Sequence, residues 1–281
     1  MLVAFHTLSS RIRHSWLMRP LEPAFRRIEP LWNVLFVMAT ALSGFPATVN
    51  ADDFNLTYEY GSRYEKLRSY EPDIYLPYAA SIRPGMTVFD IGAHVGLFSL
   101  AAAVRVGDSG RVVAFEPSPE TLKVLRKHVA LNGWNDRVTI MPAVVSDQSG
   151  TMTFYTYHDS MAASLSRANV AELNVQRPKK VTAITVPAVT VDEYCRDTGY
   201  NPDVLKIDVE GAEFRVLKGA EQTLRAHRPV IWCEIHPLQM HNLGDDVESL
   251  TRYLADLGYV IEPIAEPGHM GIYPTRIRRV G

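Results

Sequence analysis

Val88-Phe89-Asp90-Ile91-Gly92-Ala93-His94-Val95-Gly96 decides the fold, because an apolar run there ends in an acid and then breaks into a Gly-x-x-x-Gly loop. A run that closes this way reads as a strand feeding a helix, with room for a nucleotide at the strand tip. A second run, Val112-Val113-Ala114-Phe115, ends in Glu116, twenty-six positions after Asp90. An acid there is placed to grip the two ribose hydroxyls of an adenosine ligand. Asp90 as a plain helix cap, with glycines that only permit a tight turn, accounts for the first stretch alone but not for the pair.

Charge selects the nucleotide. A dinucleotide loop spaces three glycines as Gly-x-Gly-x-x-Gly, so that amides and a helix N-terminus cradle a pyrophosphate. This loop lacks that spacing, and the Asp90 carboxylate at the strand tip repels a pyrophosphate while suiting a ligand with a sulfonium and an ammonium group. S-adenosylmethionine is such a ligand.

Outward from this turn, apolar strands alternate with helical periods, the pattern of a parallel sheet with helices on both faces. Residues 87–91, 111–116 and 137–143 read as strands, with helices over 95–106 and 119–132 between them. The rhythm then breaks. Residues 151–157 alternate like an exposed strand, 160–180 are polar without clear periodicity, and 181–189 read as a strand again, so an inserted β-extension is expected. Residues 204–208 resume the sheet, followed by a helix over 213–227 broken at Gly219, a central strand over 230–235 and a helix over 245–257. Strands over 259–264 and 272–278 close it.

Ahead of this domain, assigned to residues 86–281, stand two further segments. Residues 47–85 read as a hairpin followed by a cover rich in tyrosine from Tyr58 to Tyr78, and residues 1–46 as a helical arm with a docked helix over 29–42. Five arginines between positions 11 and 27 also fit a peripheral membrane surface, although an accessory helix packed on a domain shows the same pattern. The apolar segment 31–42 is too short to span a bilayer and too far from the N-terminus for a signal peptide.

The chain has 281 residues, 47% hydrophobic and 21% charged, with a formal net charge of −2. Nucleic-acid binders carry a basic excess, so that partner class is unsupported. Cys195 and Cys233 form no metal or disulfide spacing, which fits a reducing cytoplasm and two small core residues.

A second constellation lies in Val204-Leu205-Lys206-Ile207-Asp208-Val209-Glu210-Gly211-Ala212-Glu213. Lys206 and Asp208 share one face of a buried strand, where charge is costly unless paired or used. Glu234 and His236 share a face at the end of the next strand. In open α/β sheets the ligand sits beyond the carboxyl ends of the strands, where Asp90, Asp208 and Glu210 converge.

These stretches, together with Ala114-Phe115-Glu116-Pro117, Leu131-Asn132, Thr190-Val191-Asp192 and Leu217-Lys218-Gly219-Ala220, resemble the FkbM-type S-adenosylmethionine-dependent methyltransferases over roughly residues 70–236. The Lys206–Glu213 run is the most specific part. The resemblance implies a class I, Rossmann-like methyltransferase fold with a seven-stranded, mostly parallel sheet and a final antiparallel strand. It also implies methyl transfer mainly to hydroxyls of sugars, glycolipids or polyketide-type metabolites. The chain departs from the family at His94, where asparagine is common.

Strand-end positions then assign roles. Asp90 and the Gly92-Ala93-His94-Val95-Gly96 backbone hold the methionine portion of the ligand, Glu116-Pro117 the ribose side, and the Ala143-Val144 backbone lies beside the adenine. Asp208 is the leading candidate for acceptor positioning or general base, with Glu210 and His236 as alternates. Repulsion between Asp208 and Glu234 would raise one of their pKa values. Glu213 reads as a helix-start acid favoured by the dipole. Asp208, Glu234 and His236 also form a possible ligand set for Mg²⁺ or Mn²⁺, while Lys206 can neutralise an acid without any metal. Tyr155, Tyr157, Ser160 and Ser164 are possible acceptor contacts, whereas His158, His241 and His269 match no ligand spacing. The competing readings are an NAD-dependent oxidoreductase and a non-catalytic adenosine-binding scaffold.

Overall fold

Apolar runs ended by a glycine, a proline or an acid form the strands of this protein, and the amphipathic stretches between them cover the sheet they build. The computed structural model describes residues 48–50, 56–59, 72–157, 163–172, 181–265 and 273–280. The arm over residues 1–46, most of the tyrosine-rich cover, His158, Ser160 and His269 lie outside the described residues, as does the side chain of Tyr157. The chain divides into two units, residues 1–70 and 71–281. In the first, β1 (Thr48–Asn50) pairs antiparallel with β2 (Thr57–Glu59).

The second unit opens with α1 (Pro72–Ser81), β3 (Thr87–Ile91), α2 (Leu97–Val106), β4 (Arg111–Phe115), α3 (Pro119–Leu131) and β5 (Val138–Met141). It continues through β6 (Val144–Val145), β7 (Gly150–Tyr157), β8 (Ala163–Ser164), α4 (Arg167–Glu172), β9 (Val181–Val189) and α5 (Val191–Thr198). Then follow β10 (Val204–Ile207), α6 (Glu213–Lys218), α7 (Glu221–His227), β11 (Val230–Ile235), α8 (Pro237–His241), α9 (Val247–Asp256), β12 (Tyr259–Pro263) and β13 (Tyr273–Arg279).

Seven strands form the main sheet in the order β12-β13-β11-β10-β3-β4-β5. The five from β11 to β5 run parallel, and β13 is antiparallel to both β11 and β12. The strand order reverses between β10 and β3, the switch point beyond whose carboxyl ends open α/β sheets place a ligand crevice. The inserted extension is a separate four-stranded sheet, β6-β9-β7-β8.

Elements differ from expectation at several points. The strand expected over 137–143 is shorter, covering Val138–Met141, because Pro142 lacks a donor for the ladder and the chain leaves the main sheet there to form β6 in the second sheet. The helix expected from residue 95 starts at Leu97, since Gly96 sits in the left-handed region at φ 97°. The polar stretch 160–180 holds α4, six residues long and too short to show a helical period in sequence.

Alternation along the strands sends Phe89, Ile91, Leu205, Ile207, Ile231 and Cys233 into one core with Tyr194, Leu217 and Leu254. The opposite face is not uniformly apolar. Asp90, Lys206 and Trp232 stand side by side in register there, with the Lys206 ammonium 4.6 Å from the centre of the Phe98 ring. This row carries charge into the crevice from beneath.

Thr190-Val191-Asp192 has a structural role. Thr190 caps α5 by accepting from the Glu193 amide. The Asp192 carboxylate accepts from the Gln222 and Thr223 amides at 2.9 and 2.8 Å, capping the first turn of α7 from outside that helix. Asp192→Ala is expected to cost about 2 kcal/mol, read as a lower urea midpoint at unchanged slope.

Candidate active site

The loop after β3 is built on backbone contacts with its neighbour strands. The Gly92 and Ala93 amides donate to the Phe115 carbonyl at 3.0 and 2.9 Å, and His128 Nδ1 lies 2.8 Å from the Val95 carbonyl. Gly92 has φ 81°, and a Cβ there would lie 1.8 Å from the Asp208 carbonyl oxygen. His94 also has positive φ, at 53°. Asparagine and histidine are both enriched in that region, which accounts physically for the substitution at this position. Burial holds the His94 imidazole neutral, with its pKa down at about 4.

Asp90 is completely buried at the base of this loop. Ser99 donates to its Oδ2 at 2.5 Å, while Oδ1 has no hydrogen-bond partner. Burial raises its pKa, against the opposing pull of Lys206 and Ser99. Glu116 is 6% exposed and accepts from the His94 and Ser118 amides at 2.9 and 2.8 Å. Burial carries Glu116 to about 7 despite those two donors. Both acids thus hold protons more firmly than free carboxylates. Pro117 follows directly, and Ala143 and Val144 are buried just past the end of β5.

Across the crevice, Lys206 pairs with Asp208 Oδ2 at 3.0 Å. His236 Nε2 faces Asp208 Oδ1 at 3.9 Å and Glu210 Oε2 at 3.7 Å, and its Nδ1 meets Glu213 Oε1 at 2.9 Å. Burial alone would discharge His236, but the hydrogen bond to Glu213 and the three surrounding carboxylates outweigh it and carry its pKa to about 10. Asp208 is also penalised by burial, yet Lys206 and His236 bring it below the usual carboxylate value. Of the pair Asp208 and Glu234, in which repulsion is expected to raise one pKa, Asp208 is therefore shifted down, because two cations stand beside it. Glu210 shifts up instead: burial, Asp208 and Glu213 raise it to about 7, opposed by His236. Its backbone is left-handed at φ 54°.

The structure thus gathers Asp90, the glycine loop and Glu116 on one side and Asp208, Glu210, Glu234 and His236 on the other, joined through the amide of Asp208 on the Ile91 carbonyl at 3.0 Å. Glu213 is more than a helix-start acid. It is wholly buried, accepts from the Gly211 amide at 2.9 Å and is the hydrogen-bond partner of His236. No signal in the sequence marked that role, since an acid at a helix start is ordinary. Asn169, which touches the Glu210 carbonyl, had none in a stretch without periodicity.

This strand order, with an acid-tipped glycine loop after the first parallel strand and a buried acid after the second, is the class I S-adenosylmethionine-dependent methyltransferase fold. Residues 90–261, more than half of the chain, match the methyltransferase FkbM domain. The chain belongs to the FkbM methyltransferase family, as the sequence resemblance implied. It is 30% identical over 184 residues to 31-O-demethyl-FK506 methyltransferase FkbM of Streptomyces tacrolimicus, covering 58% of this chain and 70% of that one. It is 28% identical over 210 residues to methyltransferase sdnD of Sordaria araneosa, covering 65% and 78%. It is 26% identical over 174 residues to hexuronic acid methyltransferase AglP of Haloferax volcanii, covering 60% and 61%. Among the described residues no helix is long and apolar enough to cross a membrane.

Proposed function

We propose that this protein is an O-methyltransferase that moves the methyl group of S-adenosylmethionine to a hydroxyl of a sugar, glycolipid or polyketide-type metabolite. The observation that carries the reading is Asp90, a buried carboxylate at the switch point with one oxygen lacking any partner. A buried carboxylate with an unsatisfied oxygen fits a cationic ligand, whose charge would favour its ionised form, and opposes a pyrophosphate. The relatives' names, which specify a 31-O-demethyl substrate and a hexuronic acid, support a hydroxyl acceptor. Titration calorimetry with S-adenosylhomocysteine is expected to show binding, and a deletion strain is expected to lack one methyl on a metabolite seen by mass spectrometry. Heat from NAD alone would overturn the reading in favour of an oxidoreductase; cofactor binding with unchanged metabolites would favour a scaffold. Two buried free cysteines suit a reducing cytoplasm.

When bound, S-adenosylmethionine supplies an electrophilic methyl carried on a sulfonium. Asp90 and the 92–96 backbone would hold its methionine end, Glu116 its ribose, and the Ala143-Val144 backbone would line the adenine side. Glu210 accepts the hydroxyl proton: its side chain is 35% exposed, and its pKa of about 7 matches a working base better than the depressed Asp208. Glu213 fixes the His236 ring, and the His236 charge holds the ionised Glu210 in place. Asp208, tied to Lys206, orients the acceptor.

Glu116 makes ligand binding depend on pH. Its folded-state pKa of about 7 lies above the ordinary 4.5, so the ligand-free fold loses stability as the pH rises between those values. Ribose hydroxyls donate to the carboxylate and favour its ionised form. Affinity for S-adenosylhomocysteine is therefore expected to climb by up to about tenfold per pH unit below neutrality and level off above it. In Glu116→Gln the slope disappears while weaker binding persists, as calorimetry over a pH series would show.

A divalent metal is the second reading, favoured by ligand atoms of Asp208, Glu234 and His236 lying within 4.8 Å of one another. Their donor set suits Mg²⁺ or Mn²⁺. The Lys206 ammonium already supplies positive charge at Asp208, so turnover is expected to survive EDTA. Activity lost to EDTA and restored by Mg²⁺ or Mn²⁺ would establish the metal.

A further inference from the structure

Two buried polar side chains of the inserted extension reach the strand-tip acids from outside the main sheet. Ser164 on β8 and Asn169 on α4 are each 1% exposed. Ser164 Oγ donates to the Glu210 carbonyl at 3.1 Å, and Asn169 Nδ2 donates to the same carbonyl at 2.9 Å and to the Gln239 carbonyl at 3.3 Å. Asn169 Oδ1 accepts in turn from Asn242 at 2.9 Å, and the Ser166 amide donates to Ser164 Oγ at 3.2 Å.

The carbonyl they share belongs to a turn the chain resists. Glu210 stands at φ 54° and Gly211 at φ 105°. For a residue with a side chain the left-handed region costs about 1–2 kcal/mol, so surrounding contacts must hold it there. A Cβ on Gly211 would lie 2.6 Å from the Gln239 carbonyl carbon, which packs this turn against α8. The Gly211 amide is taken by Glu213. One donor would satisfy the Glu210 carbonyl, and a second saturates its lone pairs and fixes its direction.

We propose that Ser164 and Asn169 are positioning residues for methyl transfer: by clamping the Glu210 carbonyl they set the left-handed turn, and with it the place of the Glu210 carboxylate opposite His236. The assignment rests on Glu210 as the proton acceptor. The extension, expected from sequence to recognise the acceptor, thereby also sets the base that works on it.

The test uses the full-length protein and the variants Ser164→Ala, Ser164→Thr and Asn169→Asp. Asn169→Asp keeps size and the acceptor for Asn242 but removes both N–H donors. Label transfer from S-adenosyl[methyl-¹⁴C]methionine into an extract of cells lacking the gene is expected to show kcat at least about tenfold lower in Ser164→Ala and Asn169→Asp. The KM for the donor and the affinity for S-adenosylhomocysteine stay unchanged, and Ser164→Thr, which retains its hydroxyl, works at the wild-type rate. Amide exchange at residues 210–212 is expected to quicken in the two slow variants only. Wild-type kcat in both Ser164→Ala and Asn169→Asp, a Ser164→Thr as slow as Ser164→Ala, cofactor affinity falling in step with kcat, or unchanged exchange would each overturn the proposal. Failure of the wild-type protein to transfer label counts against the methyl-transfer reading instead, and the exchange measurement still decides whether the clamp exists.

Discussion

Glu210→Gln is expected to lower kcat by about 10²–10⁴-fold, the range removed with a general base, while S-adenosylhomocysteine binds as before. Glutamine keeps the volume and a hydrogen-bonding oxygen, so the loss reports proton transfer alone. In the wild-type protein a group poised at about 7 must be ionised to act, so kcat measured at saturating S-adenosylmethionine falls as the pH drops below that value and is level above it. The variant loses this limb. Asp208→Asn gives the contrast: Asp208 is held ionised by Lys206 and His236, so its removal weakens acceptor placement and leaves the limb where it was. If Glu210→Gln retained both rate and limb while Asp208→Asn abolished both, the base would be Asp208.

Gly92→Ala is the second large effect, and it acts on both halves of the site together. At φ 81° the new methyl group meets the Asp208 carbonyl oxygen at 1.8 Å, and the atoms in the way belong to backbone that no rotamer change can move. The loop and the end of β10 must separate. A shift of that kind costs on the order of 100-fold in turnover through misplacement alone. Stability falls by about 3 kcal/mol, the left-handed conformation and the broken contact both contributing. Gly199→Ala isolates the first contribution: φ is 74° there, but a Cβ meets nothing within 4 Å. It is expected to cost about 1 kcal/mol and leave turnover intact. Equal losses in both variants, by urea titration and by rate, would show that the contact with Asp208 carries no weight.

Much of this fold is legible in sequence because its strands are buried on both faces and read as unbroken apolar runs. Thr87–Ile91, Arg111–Phe115 and Val230–Ile235 stand out for that reason, and charge at their tips marks the site. Local pattern fails where long-range packing decides. Pro142 ends one expected strand early and the chain passes to a second sheet, and whether a proline ends or bends a strand depends on neighbours far away in sequence. The proton affinities were the least legible part. The spacing of Asp208 and Glu234 predicts repulsion, but the position of Lys206 Nζ and His236 Nε2 beside Asp208 follows from side-chain geometry that no linear motif records. Glu213 and Asn169 escaped for a related reason. An acid at a helix start and an asparagine in a polar stretch each have an ordinary surface role, and only burial distinguishes these two.

Lys206 lies next to Asp90 in strand register and against Asp208 through its ammonium, and it feels the field of both acids and of Glu234. On the roles proposed for Asp90 and Asp208, one counter-ion therefore serves the donor end and the acceptor end. Whatever neutralises an acid at one end releases part of that ion's attraction to the other, and linkage requires the influence to run equally in both directions. With the donor at Asp90 and the acceptor at Asp208 as proposed, the two substrates are expected to sense each other without touching, and exchanging a carboxylate on either side is expected to reset the affinity of the pocket opposite.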